Sequence, residues 1–176
     1  MPNTYSQLYI QIVFAVKGRQ NFIHESFRNE LQKYISGIVK KQKQKLYAIY
    51  CMPDHTHTLV SIKPDVAISD LVRDIKSYSS SFVKQKSFKE DFAWQTGFGA
   101  FSYSKSQALN VVNYILRQPE HHKKKSFKAE YIEFLESSKS NMMKNICLNF
   151  MNKRGGYIAP MELKILLYFF LLIWRP

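Results

Sequence analysis

The spacing of apolar residues changes period twice before residue 63, and this restricts the fold more than any other feature of the chain. From Thr4 to Ala15, Leu8, Ile10, Ile12 and Phe14 alternate with Gln7, Tyr9 and Gln11. A period of two is the pattern of a strand buried on one side. From Glu25 to Gln42 the period lengthens, and Phe27, Leu31, Tyr34, Ile35 and Ile38 fall on one helical stripe. Lys45 to Met52 and His55 to Ile62 return to strand character, and Pro53-Asp54 between them predicts a hairpin turn.

The alternation continues downstream. Ile68 to Lys86 carries a helical stripe of Ile68, Leu71, Val72, Ile75 and Phe82. Phe92 to Gly99 reads as a loop, and Ala100 to Ser104 as a short fourth strand. A helix from Ser106 to about Gln118 should end where Pro119 discourages continuation, and another should cover Ser126 to Leu135. The order is strand, helix, strand, strand, helix, strand, then helices. It predicts an α+β, ferredoxin-like (split βαβ) antiparallel sheet with helices on one face, plus a C-terminal helix that carries Tyr114. One domain is expected over residues 1–140, followed by an atypical tail over 141–176. Such a fold hosts many activities, so function has to come from particular side chains.

Charge narrows the partners. Lys and Arg number 26 against 13 Asp and Glu, a net charge of +13, which points to a polyanion such as nucleic acid. Two cysteines, Cys51 and Cys147, form neither a disulfide framework nor a paired-cysteine zinc pattern. No signal peptide is read at the N-terminus, and the apolar run Ile165–Trp174 falls short of the about 20 residues a membrane span needs. A cytoplasmic protein with no membrane association is expected.

Two constellations carry chemistry. His55 and His57, separated by one residue on a strand, share a face and can converge on one divalent metal. Tyr114 and Gln118, four apart on the expected helix, project together. Taken singly, each is better explained structurally: the histidines as satisfied polar residues near a strand end, Tyr114 as an amphipathic residue at the edge of a helix. Taken together, two imidazoles and an amide oxygen can hold Mg²⁺ or Mn²⁺ with open positions, and a tyrosine hydroxyl beside the ion can attack phosphorus.

Three stretches, Met52–Val60 around His-Thr-His, Trp94–Ser104, and Val112–His122 around Tyr114, occur in this order. Over about residues 3 to 138 the chain resembles the single-tyrosine transposases of insertion sequence 200/605 type, the IS200-like transposase domain. The resemblance implies metal ligation by His55, His57 and Gln118 and a nucleophilic Tyr114. It also implies a homodimer, often with the tyrosine helix docked on the partner's histidines. The substrate it implies is single-stranded DNA bearing a hairpin, cut and rejoined through a 5′-phosphotyrosine. Thr56 departs from the family's pattern, which has a bulky apolar residue between the histidines. A relaxase-type or replication-initiator nuclease, and a non-catalytic hairpin-binding relative, are the alternatives.

Lys84, Lys86 and Lys89, then Arg117 and Lys123, Lys124 and Lys125, can follow a phosphate backbone, and Trp94, Phe98 and Tyr103 can stack on bases. Phe101 is expected in the core. His121 and His122 lie just beyond Pro119, with no direction set by sequence, and structural or DNA-contacting roles are expected of them.

The tail departs from the resemblance. Similar chains continue with an acidic, aromatic segment, whereas this one reads Asn141-Met-Met-Lys-Asn-Ile-Cys-Leu-Asn-Phe-Met-Asn152. Back-translation with A/T-rich codons, read from the third base, gives Tyr-Asp-Glu-Lys-Tyr-Leu-Phe-Glu-Phe-Tyr-Glu and a stop. This predicts a frameshift just before Asn141.

Overall fold

The computed structural model describes residues 5–137. The expected atypical tail, its frameshift and the apolar run Ile165–Trp174 lie outside them. Four strands form one sheet: β1 (Tyr9–Ala15), β2 (Lys45–Cys51), β3 (His55–Ser61) and β4 (Gly99–Tyr103). Their order is β2-β3-β1-β4, every pairing antiparallel. Helices α1 (Glu25–Lys41) and α2 (Ile68–Ser87) are the two crossovers, and α3 (Lys105–Leu116), α4 (Gln118–His122) and α5 (Phe127–Ser137) follow β4. This is the expected ferredoxin-like arrangement. The described chain divides into two units, through Gln118 and from Pro119 onward.

Helices α1 and α2 lie against one face of the sheet. Ile10, Ile12 and Phe14 of β1 share a core there with Phe27, Leu31 and Ile35 of α1 and with Leu71, Val72 and Ile75 of α2. Helix α1 closes at Lys43, whose left-handed φ of 58° turns the chain back toward β2. Phe88 (φ 54°) ends α2 in the same way.

The second face is covered as well. Ala108, Val111 and Ile115 of α3 pack with Tyr9, Ala48 and Leu59 in a separate core. Every residue of β1 is therefore buried, although its alternation predicts a strand wet on one side. The cause is position: β1 is an inner strand, and the face carrying Tyr9 and Gln11 is roofed by a helix. Polar residues can line such a face only if they find partners.

Helix α3 begins one residue after β4. Gln107 Oε1 accepts from both Ser104 N (3.0 Å) and Ser104 Oγ (2.9 Å), a capping box that fixes the angle of entry. The helix ends at Leu116, two residues earlier than expected. Arg117 caps it, and Gln118-Pro119 opens α4, because proline suits the first turn of a helix and not its interior.

The loop before β4 is clipped to α2. Lys76 Nζ donates to the carbonyl oxygens of Gln95 (2.7 Å) and Gly97, and burial brings its pKa down to about 8. Trp94 stands edge-on to Phe14, with ring centroids 4.8 Å apart, and its Nε1 donates to Ser79 Oγ at 2.9 Å. Trp94→Ala should lower unfolding stability by about 3–5 kcal/mol, read as a fall in the urea midpoint, since it removes a large ring from the core and a partner from buried Ser79.

Candidate active site

The histidines stand in the middle of the sheet. Register pairs His55 with Ala15 and His57 with Val13, and on the other side His57 with Tyr50. Both side chains lie on the α3 face, as the strand period requires, with ring centroids 5.0 Å apart and planes at 77°. Both are fully buried.

Each ring is held from behind. Asp54 Oδ1 accepts from His55 Nδ1 at 2.6 Å, which leaves the lone pair of the neutral ring on Nε2. Arg19 pairs with Asp54 in turn, so a cation, a carboxylate and an imidazole run in series. Burial acts against the Asp54 charge, but the hydrogen bond from His55 and the nearby charges outweigh it and hold the carboxyl below its usual range. Burial pushes His55 down to about 3, with the neighbouring His57 adding to the effect. His55 is thus neutral at ordinary pH, the form that binds metal. Gln11, on β1, places its side-chain amide 3.2 Å from His57 Nδ1.

Tyr114, half-buried on α3, places its ring 6.2 Å from that of His57 at 80°, and it packs against the Tyr9–Leu59 core of its own chain. Gln118 is buried at the start of α4, on the far side of the Arg117 break. The sequence places Tyr114 and Gln118 on one continuous helix; here they belong to successive helices.

The expected DNA-contacting residues separate. Tyr103 is on the histidine face, paired with Tyr9, and burial raises its pKa. Arg117 is exposed at the end of α3. Lys84 and Lys86 are exposed on α2, across the sheet from the histidines, and Lys86 pairs with Glu30 at 2.6 Å. Trp94 is built into the α1–α2 core instead of presenting a face on which a base could stack. Phe101 is buried, as expected. Lys123 and Lys124 are exposed in the second unit.

Sequence reasoning missed Gln11, Asp54 and Arg19. Gln11 reads as the wet side of a strand and Asp54 as a turn former. The available signals were an amide enclosed by Ile10 and Ile12, and a carboxylate immediately before a histidine.

The donor set suits a divalent ion: a buried neutral His55 with its far nitrogen anchored, and His57 beside it with its own Nδ1 held. Residues 4–118 match the family described as Transposase IS200 like. The chain belongs to that family of DNA-processing enzymes. It is 25% identical over 118 residues to the ISDra2 transposase TnpA of Deinococcus radiodurans, covering 64% of this chain and 84% of the relative. A crystal structure of a candidate transposase from Deinococcus radiodurans superposes with a TM-score of 0.54 at 19% identity, over 67% of this chain and 95% of the other. A REP-associated tyrosine transposase bound to a REP hairpin gives 0.52 at 17%, over 69% and 73%. At these identities the two structures support the fold alone. Among the described residues, no helix is long and apolar enough to cross a membrane.

Gln11→Ala should weaken divalent-metal binding about 10–100-fold, measured by titration calorimetry, with the circular-dichroism spectrum retained, because it frees the His57 ring without removing a ligand.

Proposed function

We propose that this chain cuts and rejoins single-stranded DNA bearing a hairpin, with Tyr114 as the nucleophile. The observation that carries this reading is the half-buried Tyr114 ring packed 6.2 Å from buried His57 within one chain. The Tyr114 hydroxyl oxygen attacks the scissile phosphorus and loses its proton. The bond from phosphorus to the 3′ oxygen breaks, and that oxygen leaves as a 3′-OH. The product is a 5′-phosphotyrosine, which keeps the energy of the broken phosphodiester. The 3′-OH of another strand reverses the attack, so joining needs no nucleotide cofactor.

His55, His57 and Gln118 would hold Mg²⁺ or Mn²⁺, which when bound polarises a phosphate oxygen as a Lewis acid. Asp54 and Gln11 fix the rotation of the two rings, and α3 and the sheet keep Tyr114 half-shielded from water. Tyr103, on the same face, and Arg117, at the end of α3, are proposed as contacts to the strand. Lys123 and Lys124 are proposed to add phosphate contacts, and Lys84 and Lys86 to contribute to the general basic field. A homodimer belongs to the same reading. Leu109 and Leu116, 68% and 53% exposed, are apolar residues of α3 left outside its own core.

Tyr114→Phe should abolish the covalent protein–DNA adduct on a hairpin-bearing single strand while leaving noncovalent binding in gel shift unchanged. An adduct that survives this substitution would assign the nucleophile elsewhere. Excess EDTA, His55→Ala or His57→Ala should each cut adduct formation at least 100-fold. Mixing Tyr114→Phe with His57→Ala protein should not restore cleavage, because each tyrosine serves its own chain's histidines; recovery would place the tyrosine helix on the partner.

Hairpin binding should weaken as salt rises, with a log–log slope of about −0.7 per phosphate contact. Equal affinity for a sequence-matched duplex would reduce the interaction to generic charge attraction.

A further inference from the structure

The proposed cleavage leaves one mostly enclosed charge, Arg28, without a task. Arg28 is on α1, which packs against the face of the sheet opposite the histidines. Its guanidinium nevertheless reaches the histidine face. Arg28 Nη1 donates to the hydroxyl of Tyr50 at 3.3 Å, and Cζ stands 5.8 Å from the centre of the Tyr50 ring. Tyr50 belongs to β2, an edge strand of the sheet, and packs against the core on the α3 side. Gln32, one helical turn beyond Arg28, accepts from Cys51 N at 3.0 Å. This side of α1 is thereby fastened along the open edge of β2, and Arg28 passes around that edge.

The edge leads to the candidate active site. Tyr50 is the cross-strand partner of His57, and Tyr50 and Tyr114 are both half-buried against the same core. The guanidinium is poorly matched within the protein. Its side chain is 15% exposed, and its ion partner among the described residues is Glu25, 3.3 Å away and 87% exposed. A carboxylate so open to water offers little to a charge that is mostly removed from it. The donors are also unevenly used. Nη1 serves Tyr50 and Glu25, Nε is enclosed with no partner, and Nη2 makes no bond among the described residues. A guanidinium held in direction, partly desolvated and with its outer nitrogen uncommitted suits an anion.

We propose that Arg28 holds one backbone phosphate of the bound single strand at the β2 edge beside His57, with Tyr50 as its positioning residue. The proposal rests on the reading of this chain as an enzyme of single-stranded DNA, and it supplies that reading with a fixed point for the strand. The Tyr50 hydroxyl limits rotation of the guanidinium and leaves Nη2 to the ligand. Such a contact sets the register of the strand and reads no base.

The test measures noncovalent binding of a hairpin-bearing single strand by the full chain carrying Tyr114→Phe, in excess EDTA. Adding Arg28→Gln should weaken binding about tenfold and make the log–log salt slope shallower by about 0.7, the share of one phosphate. Arg28→Lys, which keeps the charge, should restore the slope. Tyr50→Phe should cost about threefold and leave the slope unchanged. Neutral methylphosphonates placed one at a time along the strand should reveal one position whose effect is present with Arg28 and absent with Arg28→Gln. Should Arg28→Gln fail to fold by circular dichroism, Arg28→Met keeps the apolar stem and is read in the same way. An unchanged slope in the folded variant, or no such position in the strand, overturns the contact and leaves Arg28 a tether between α1 and β2. The cleavage reading fails separately, by an adduct that survives Tyr114→Phe. A chain that has Arg28 in place and binds no hairpin-bearing strand overturns both.

Discussion

Covering the sheet on both faces is the constraint from which the site follows. With α1 and α2 on one side and α3 on the other, β1 and β3 have no wet face, and any polar group they carry must be satisfied within the protein. The two histidines sit in the worst place for a charge and the best place for a neutral ligand. Burial drives His55 to its neutral form, while Asp54 accepts its Nδ1 hydrogen. Asp54 stays ionised because the hydrogen bond from His55, helped by the Arg19 charge on its other side, outweighs its burial. The polar side chains of this face thus form a short supported chain, fixed in rotation by packing and hydrogen bonds together.

Much of this is legible in the sequence alone. The periods of two and 3.6 locate all four strands and the principal helices to within a residue or two, except that β1 begins at Tyr9 and not at Thr4, and the stripes of α1 and α2 are pronounced. The shared face of His55 and His57 followed from strand geometry. Burial of β1 on both sides did not, since alternation reports only the composition of each face. Gln11 is polar and was read as wet; what encloses it is α3, an element nearly a hundred residues away in the chain. The end of α3 was placed too late for a similar reason. Proline penalises the residue before it, yet here the helix stops further back, at Leu116, so that Pro119 can occupy the first turn of a new one.

The candidate nucleic-acid contacts show where composition misleads. A tryptophan in a basic chain suggests base stacking, but Trp94 has apolar neighbours on its flanks and a buried hydroxyl for its only polar atom. The clusters of lysine are likewise divided, between α2 of the first unit and the stretch after α4 in the second. The excess of 13 positive charges is a property of the whole surface more than a map of one groove.

A single residue, Ser104, separates the last strand from the helix that carries Tyr114, and its capping box leaves little slack. In the proposed reaction a severed 5′ end would therefore be fastened to a rigid platform instead of to a swinging arm. Exchange of partners would then have to be accomplished by the nucleic acid, with the incoming 3′ end brought to a stationary linkage. The protein would act as an anvil, and the hairpin's own geometry would decide which end arrives.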